Sequence, residues 1–331
     1  MRSSTIVLVA GLVGIAGFAL ADSLRGDNDV GPAVAESEST TTRREEPAFE
    51  GTLPPDLLTG RLVFTDENCD LGVVELARAV IVRMRDVETN CALSAPVRSR
   101  RIAYGFGPLG RETLSYRVTD FSRPEQTLGR LRARPGSIVW SRDGERVAWC
   151  SRAGRGYELE IGAGKRPLAF CPVTYTTKGR PVWSDGRRLL AESRALIPPL
   201  PGRISAASIG VDQSIAVVLD GERIVVMQQG VRIAEIRIPT RVRNVVPTFS
   251  PDNCGAILLT PHRGQPPRVI VLDLCGGHDP VRRLPGLRAV WSPDGRWFAV
   301  AEERTIVFYP LDERGFPFRL PGTANQLVWQ R

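Results

Sequence analysis

The stretch Ala289-Val290-Trp291-Ser292-Pro293-Asp294-Gly295-Arg296-Trp297-Phe298-Ala299-Val300 decides the fold. Two short apolar runs flank a Ser-Pro-Asp-Gly corner. Proline pre-sets φ at the first turn position, and glycine takes the φ > 0 position that other residues resist. The flanking runs are rich in β-branched and aromatic residues, so the stretch reads as a β-hairpin.

The same hairpin recurs along the chain. Ile138 to Trp149 matches it almost position for position, around Trp140, Ser141, Asp143 and Gly144. Val182 to Ala191 matches with one turn residue deleted, and Pro247 to Leu258 with one inserted. Cys91 to Tyr104 and Ile204 to Leu219 are weaker copies. With Leu93, Trp140, Trp183, Ser208, Phe249 and Trp291 as anchors, the spacings are 47, 43, 25, 41 and 42. A period near 40–45 with about four strands per unit is the signature of a β-propeller. One full unit is visible at 289–320. The interval of 25 marks an irregular blade around Leu189 to Gly202. The best helical stretch, Val73 to Met84, is rich in Val and Ile and reads equally as two strands.

The hairpin at Trp291 to Trp297 resembles the repeat of TolB-like propellers, relatives of the WD-repeat group. The resemblance covers about 280 residues on four good copies. It implies the fold and leaves the role open, because such blades serve many functions. TolB carries a separate α/β domain before its propeller, and no such domain is read here.

The fold expectation is therefore all-β: a seven-bladed, alternatively six-bladed, β-propeller over 51–331, preceded by an N-terminal hydrophobic helix. Gln326 to Gln330 looks like a first strand without its hairpin partner, and Gly60 to Thr65 like a second strand without its first. Joined, they complete one blade and remove two sheet edges. Thr5 to Ala21 is a 17-residue apolar run. It reads as a single-pass anchor, with a signal peptide cleaved after Ala21 as the alternative; either carries the remainder across a membrane. Residues 22–50 are polar and acidic and read as a disordered stalk.

The formal net charge is +8. Residues 1–50 hold four Arg and eight acids, which leaves 40 basic and 28 acidic groups on the rest. Such a surplus attracts anionic polymers. Only Lys165 and Lys178 are lysines, which points to compositional bias toward arginine. Arginines cluster at Arg98 to Arg101, Arg130 to Arg134 and Arg241 to Arg243 without interleaved aromatics, so nucleic acid is not an expected partner.

Six cysteines, Cys69, Cys91, Cys150, Cys171, Cys254 and Cys275, form an even set in a chain read as translocated. Strand alternation puts Cys254 and Cys275 on one rim, which pairs them, and the other four on the opposite rim, where three pairings remain. Cys69–Cys91 and Cys150–Cys171 are the simplest, each contributing about 3 kcal/mol in the chain-entropy model. No CxxC pair exists, which argues against zinc.

Catalytic, cofactor and metal residues are not recognised. His262 and His278 fall on opposite rims of one blade, roughly 17 Å of strand apart. Gly105 to Gly110 spells GxGxxG, but Pro108 sits inside it and a strand follows, so it reads as a hairpin loop. Gly164-Lys165 is followed by Arg166, not by the Ser or Thr of a phosphate loop. Asp143, Asp185, Asp252 and Asp294 are turn residues before they are a carboxylate ring. Trp140, Trp183, Trp291 and Trp297 read as packing between blades. The functional expectation is a non-enzymatic, membrane-tethered, extracytoplasmic scaffold that binds a protein or an anionic envelope polymer. The alternative is an envelope hydrolase or lyase with a site in the central channel.

Overall fold

The computed structural model describes Arg43–Pro47, residues 54, 55 and 57, and 60–331, apart from 85–86, 88, 97, 109–112, 121–122, 135, 239–244, 252–256, 262–267, 274–280 and 313–316. The anchor or signal segment, Cys254, Cys275, His262, His278, Asp252 and the Arg241 to Arg243 cluster lie outside the described residues. Among the described residues no helix is long and apolar enough to cross a membrane.

The strands form seven antiparallel sheets, one of five strands and six of four. In chain order, sheets 2 to 7 begin with Leu93–Ser94, Val139–Trp140, Thr174–Tyr175, Ile204–Ile209, Val245–Phe249 and Arg288–Trp291. In sheet 1 the first strand is the C-terminal Gln326–Gln330, which pairs with Arg61–Thr65 in the register Val328↔Val63. First strands of several neighbouring sheets adjoin one another, including Gln326–Gln330 with those of sheets 7 and 2. The fourth strands lie outermost, and Gly164–Leu168 is mostly exposed. This arrangement is a β-propeller.

Burial on both faces explains why the second strands are continuously apolar. In Ile215–Leu219, Ile215, Val217 and Leu219 pack toward sheet 4, whereas Ala216 and Val218 pack toward sheet 6. In Trp297–Ala301, Trp297, Ala299 and Ala301 face sheet 1, and Phe298 and Val300 face sheet 6. The strand period of two delivers alternate side chains to two different cores.

The hairpin corner is a shared polar device. Ser292 is buried, and its hydroxyl donates to Asp294 Oδ1 (2.6 Å) while accepting from the Trp297 amide (3.0 Å). Ser141 repeats this with Asp143 (2.6 Å) and the Arg146 amide (2.9 Å). Gly144 and Gly295 hold φ of 73° and 76°. Trp140 Nε1 donates to Ser94 Oγ (3.0 Å), and Trp291 Nε1 to Thr248 O (2.9 Å). Each repeat tryptophan thus ties its first strand to that of the preceding sheet.

Two expectations are corrected. Trp183 lies in Pro181–Ser184, the second strand of sheet 4, not the first. The first strand is Thr174–Tyr175, and its corner is Thr176 to Arg180, where the Arg180 amide donates to Thr176 Oγ1 (3.0 Å) as at Ser141 and Ser292. The deleted turn residue belongs to a different hairpin, so the irregular interval is a phase error; sheet 4 is short but four-stranded. The second correction concerns the stalk. Arg43–Pro47 pairs antiparallel with Val80–Met84 and adds a fifth strand to sheet 1. Val73 to Met84 resolves as parts of two strands around a 3-10 turn at Leu76–Arg78.

Ser292→Ala is expected to lower stability by about 1–3 kcal/mol, because the buried Trp297 amide loses an acceptor and Asp294 a donor. Urea unfolding should show a lower midpoint at unchanged m; an unchanged midpoint would remove the corner hydroxyl from the account.

Candidate functional site

Antiparallel alternation sorts every loop onto one of two rims. First-to-second-strand corners and third-to-fourth-strand turns share one rim, called here the corner rim. Second-to-third turns and the links between sheets share the other.

The opposite rim carries the disulfides. Cys69–Cys91 joins the Asp66 to Asp70 turn to the link between sheets 1 and 2, with Cα atoms 4.4 Å apart. Cys150–Cys171 joins the end of a second strand to the segment after a fourth, with Cα atoms 5.0 Å apart. These are the sequence-neighbour pairs. The first sits at the closure of the ring: Asn325, entering the C-terminal strand, donates through Nδ2 to Asp66 O (2.7 Å) and through its amide to Thr65 O (2.7 Å). Asp66 is buried, accepts from the amides of Asn68 and Asp70 (3.0 and 2.9 Å), and pairs with Arg83 (2.7 Å).

Six apolar clusters bridge six of the seven junctions between successive sheets. Among the described residues, the junction of sheets 3 and 4 is built differently. Val147 and Trp149 turn toward sheet 2, while the alternate residue Ala148 is small and stands opposite Glu158. Glu158 is fully buried. It pairs with Arg166 and accepts from the Tyr175 hydroxyl of sheet 4 (2.8 Å). Arg146 reaches across to Gly179 O (3.1 Å). Burial, then the Glu158 charge, pushes the Tyr175 phenol far above its usual range. Toward the disulfide, Phe170 stacks on Trp183 at 5.2 Å between centroids and 15° between planes. With Leu168, Ala169, Pro172, Pro181 and Val182 they line a small apolar cleft. Phe170 is 54% exposed. Gly156 allows its close approach, since a Cβ there would lie 1.9 Å from Phe170 O.

The corner rim displays arginine. Arg98 and Arg100 are exposed in the loop between the first two strands of sheet 2, and Arg142 is half-buried in the corner of sheet 3. Arg98 Nη2 donates to Pro251 O in the corner of sheet 6 (3.4 Å). Three acids of this rim are engaged locally. Asp143 accepts from Ser141 and the Glu145 amide, Asp294 from Ser292 and the Arg296 amide, and Asp212 from Ser214 and Gln228. Asp185 belongs to a second-to-third turn and bonds the Arg187 and Arg188 amides, so it does not share a rim with Asp143 and Asp294. Among the described residues no group of three or more His, Cys, Asp or Glu could hold a metal ion. Gly105 ends up within a strand and Gly107 in the following hairpin loop. Gly164 and Lys165 lie in an outer strand, with Lys165 over the Tyr157 ring at 4.4 Å.

No family model matches the chain, and no curated protein matches it. Solved structures similar to it include TolB from Acinetobacter baumannii, at 15% identity and TM-score 0.48, covering 83% of this chain and 68% of that one. The β-propeller domain of Myceliophteria thermophila Cps50 (Swd1) is 10% identical with TM-score 0.47, covering 73% and 89%. Dihydro-heme d1 dehydrogenase NirN in complex with DHE is 14% identical with TM-score 0.48, covering 86% and 79%.

Tyrosine ionisation gives the fold an alkaline limit. A phenol with a raised folded-state pKa stabilises fully below its unfolded value near pH ~10 and loses that contribution as pH rises. Burial raises Tyr116 to about 12; burial and then the bond to Glu302 raise Tyr309 to about 12. Melting temperature should fall above pH ~10. Tyr175→Phe is expected to cost about 1–3 kcal/mol at neutral pH and to flatten that alkaline fall. An alkaline slope identical to wild type would remove Tyr175 from the junction's energetics.

Proposed function

We propose that the chain is a non-enzymatic, membrane-tethered scaffold whose propeller works outside the cytoplasm, binding a protein or an anionic envelope polymer through its corner rim. The seven sheets serve as seven blades closed by the terminal strands. Residues 5–21 supply the tether, or are removed after Ala21 with secretion of the remainder.

The observation that carries this reading is how the acids are used. Glu158 and Asp66 are buried and tied to arginine. Asp143, Asp212 and Asp294 hold their own corners. A general acid or base needs a carboxyl able to exchange protons with a substrate; these carboxylates serve the backbone instead. What the corner rim displays is guanidinium. The two disulfides support an oxidising compartment, because such bonds persist where thiols are not kept reduced.

A C-terminally tagged chain in intact cells provides the test. The propeller should sediment with membranes, be degraded by external protease and yield Cys69–Cys91 and Cys150–Cys171 as linked peptides without reductant. Protection from protease together with free thiols would overturn both the location and the role.

A further inference from the structure

Arginines from three successive sheets meet at the mouth of the ring on the corner rim. Arg61 begins the second strand of sheet 1, Arg98 and Arg100 occupy the loop of sheet 2, and Arg142 the corner of sheet 3. Backbone anchors fix their places. Arg61 Nη2 donates to Arg100 O (3.2 Å) and Arg98 Nη2 to Pro251 O (3.4 Å). Arg101 Nη1 donates to Gly144 O (2.9 Å) and pairs with Glu145 (2.8 Å). The loop of sheet 2 presses on the corner of sheet 3 so closely that a Cβ on Gly144 would lie 2.4 Å from Ser99 Cβ and 2.8 Å from Pro96 Cγ.

These cations are held against one another. Burial, then Arg98, lowers Arg142. Burial, then Arg100, lowers Arg61 to about 10, against the raising influence of Asp120 and Glu75. Guanidinium stays charged at neutral pH, so their mutual repulsion is a standing cost that a bound anion relieves. Among the described residues no ion pair joins Arg98, Arg100 or Arg142 to a carboxylate; Glu145 pairs with Arg101, and Asp143 accepts from Ser141 and the Glu145 amide.

We propose that this arc of arginines is an oxyanion site for a linear polyanion bearing phosphodiester or carboxylate groups, with Arg98, Arg100 and Arg142 as its contacts. The inference rests on the scaffold reading and names the partner class. The spread of these contacts over sheets 2 and 3, with Arg61 of sheet 1 beside them, suits a chain of repeated anions better than a single small ion. A polymer fits better than a folded protein because the arginines that anchor protein interfaces do so together with aromatic and apolar side chains. The exposed large hydrophobics among the described residues lie elsewhere. Phe170 and Leu287 sit in links on the opposite rim, Val246 at the start of a first strand, and Val231 and Ile233 on the outer strand of sheet 5.

The test measures binding of the full chain, in detergent micelles, to labelled poly(glycerol phosphate), a phosphodiester polymer, and labelled polygalacturonate over a salt series. A double variant, Arg98→Ser with Arg142→Ser, is compared with Arg130→Ser with Arg132→Ser on the outer strand of sheet 2. The mouth variant should lose about tenfold or more in affinity and reduce the salt slope by about 1 to 2, with the outer variant within about twofold of wild type. Arg98→Lys with Arg142→Lys keeps the charge without the planar fork and should fall between; it also guards against loss of folding in the Ser variant. The better-bound polymer decides between phosphodiester and carboxylate. Equal losses in the mouth and outer variants would mean attraction by net charge and overturn the site. Binding unchanged in the mouth variant would overturn the site and leave the scaffold reading intact. Wild type binding neither polymer would overturn the polyanion assignment, whereas the protease and thiol results test the scaffold reading separately.

Discussion

The pairing of Gln326–Gln330 with Arg61–Thr65 is the contact on which the rest of the structure depends. Second strands such as Ile215–Leu219 and Trp297–Ala301 are apolar on both faces, so their sheets need a neighbour on both sides. An open row of such sheets leaves two apolar faces in water; a ring leaves none. Closure by the terminal strand covers Leu62, Phe64, Leu327 and Trp329 together with Trp297 and Phe308 of sheet 7. The polar bonds at that seam make it specific. Asn325 reads the backbone of Thr65 and Asp66, while Gln330, fully buried, bonds Arg61 and the Arg101 carbonyl. The Cys69–Cys91 bridge lies beside Asn325 and restricts the 69–91 loop in the unfolded chain.

A ring with one polar junction has a built-in inequality. Six junctions are packed hydrocarbon, which is non-directional and tolerant of small shifts. The junction of sheets 3 and 4 depends on Glu158, Tyr175 and Arg166 meeting at hydrogen-bond distance. Glu158 is fully buried while Arg166 is 57% exposed, so the cost of removing a partner is that of leaving a buried carboxylate short of a bond, about 1–3 kcal/mol. Fold and display are thereby separated: acids and tyrosines hold the interior, and arginines such as Arg98 and Arg100 are left exposed on the corner rim.

Much of this was legible before any coordinates. The Trp-Ser-Pro-Asp-Gly corner predicts hairpins because proline, glycine and a buried serine hydroxyl act locally, and the spacing of its copies predicts the propeller. Phase was less legible. Trp183 carries the right corner on the wrong hairpin, since Trp-Ser-Asp-Gly specifies a turn and does not count strands. The true first corner, Tyr175 to Arg180, substitutes Thr for Ser and Lys for Asp, and so escapes alignment although its hydroxyl makes the same bond. The fifth strand at Arg43–Pro47 was hidden by its charge, because an outer edge strand needs no apolar pattern. The arginine arc was half visible: Arg98, Arg100 and Arg101 are consecutive or nearly so, whereas Arg61 and Arg142 join them only through the circular order of sheets.

Amide hydrogen exchange at the seam tests the closed ring most directly. The account predicts that those amides of Gln326–Gln330 that bond to Arg61–Thr65 exchange as slowly as the amides of Phe298, Ala299 and Val300 in the middle of sheet 7, both limited by global unfolding. Exchange of those bonded seam amides that is orders of magnitude faster, with 298–300 still protected, would contradict it, because the ring would then open at its terminal strand while the sheets stay folded.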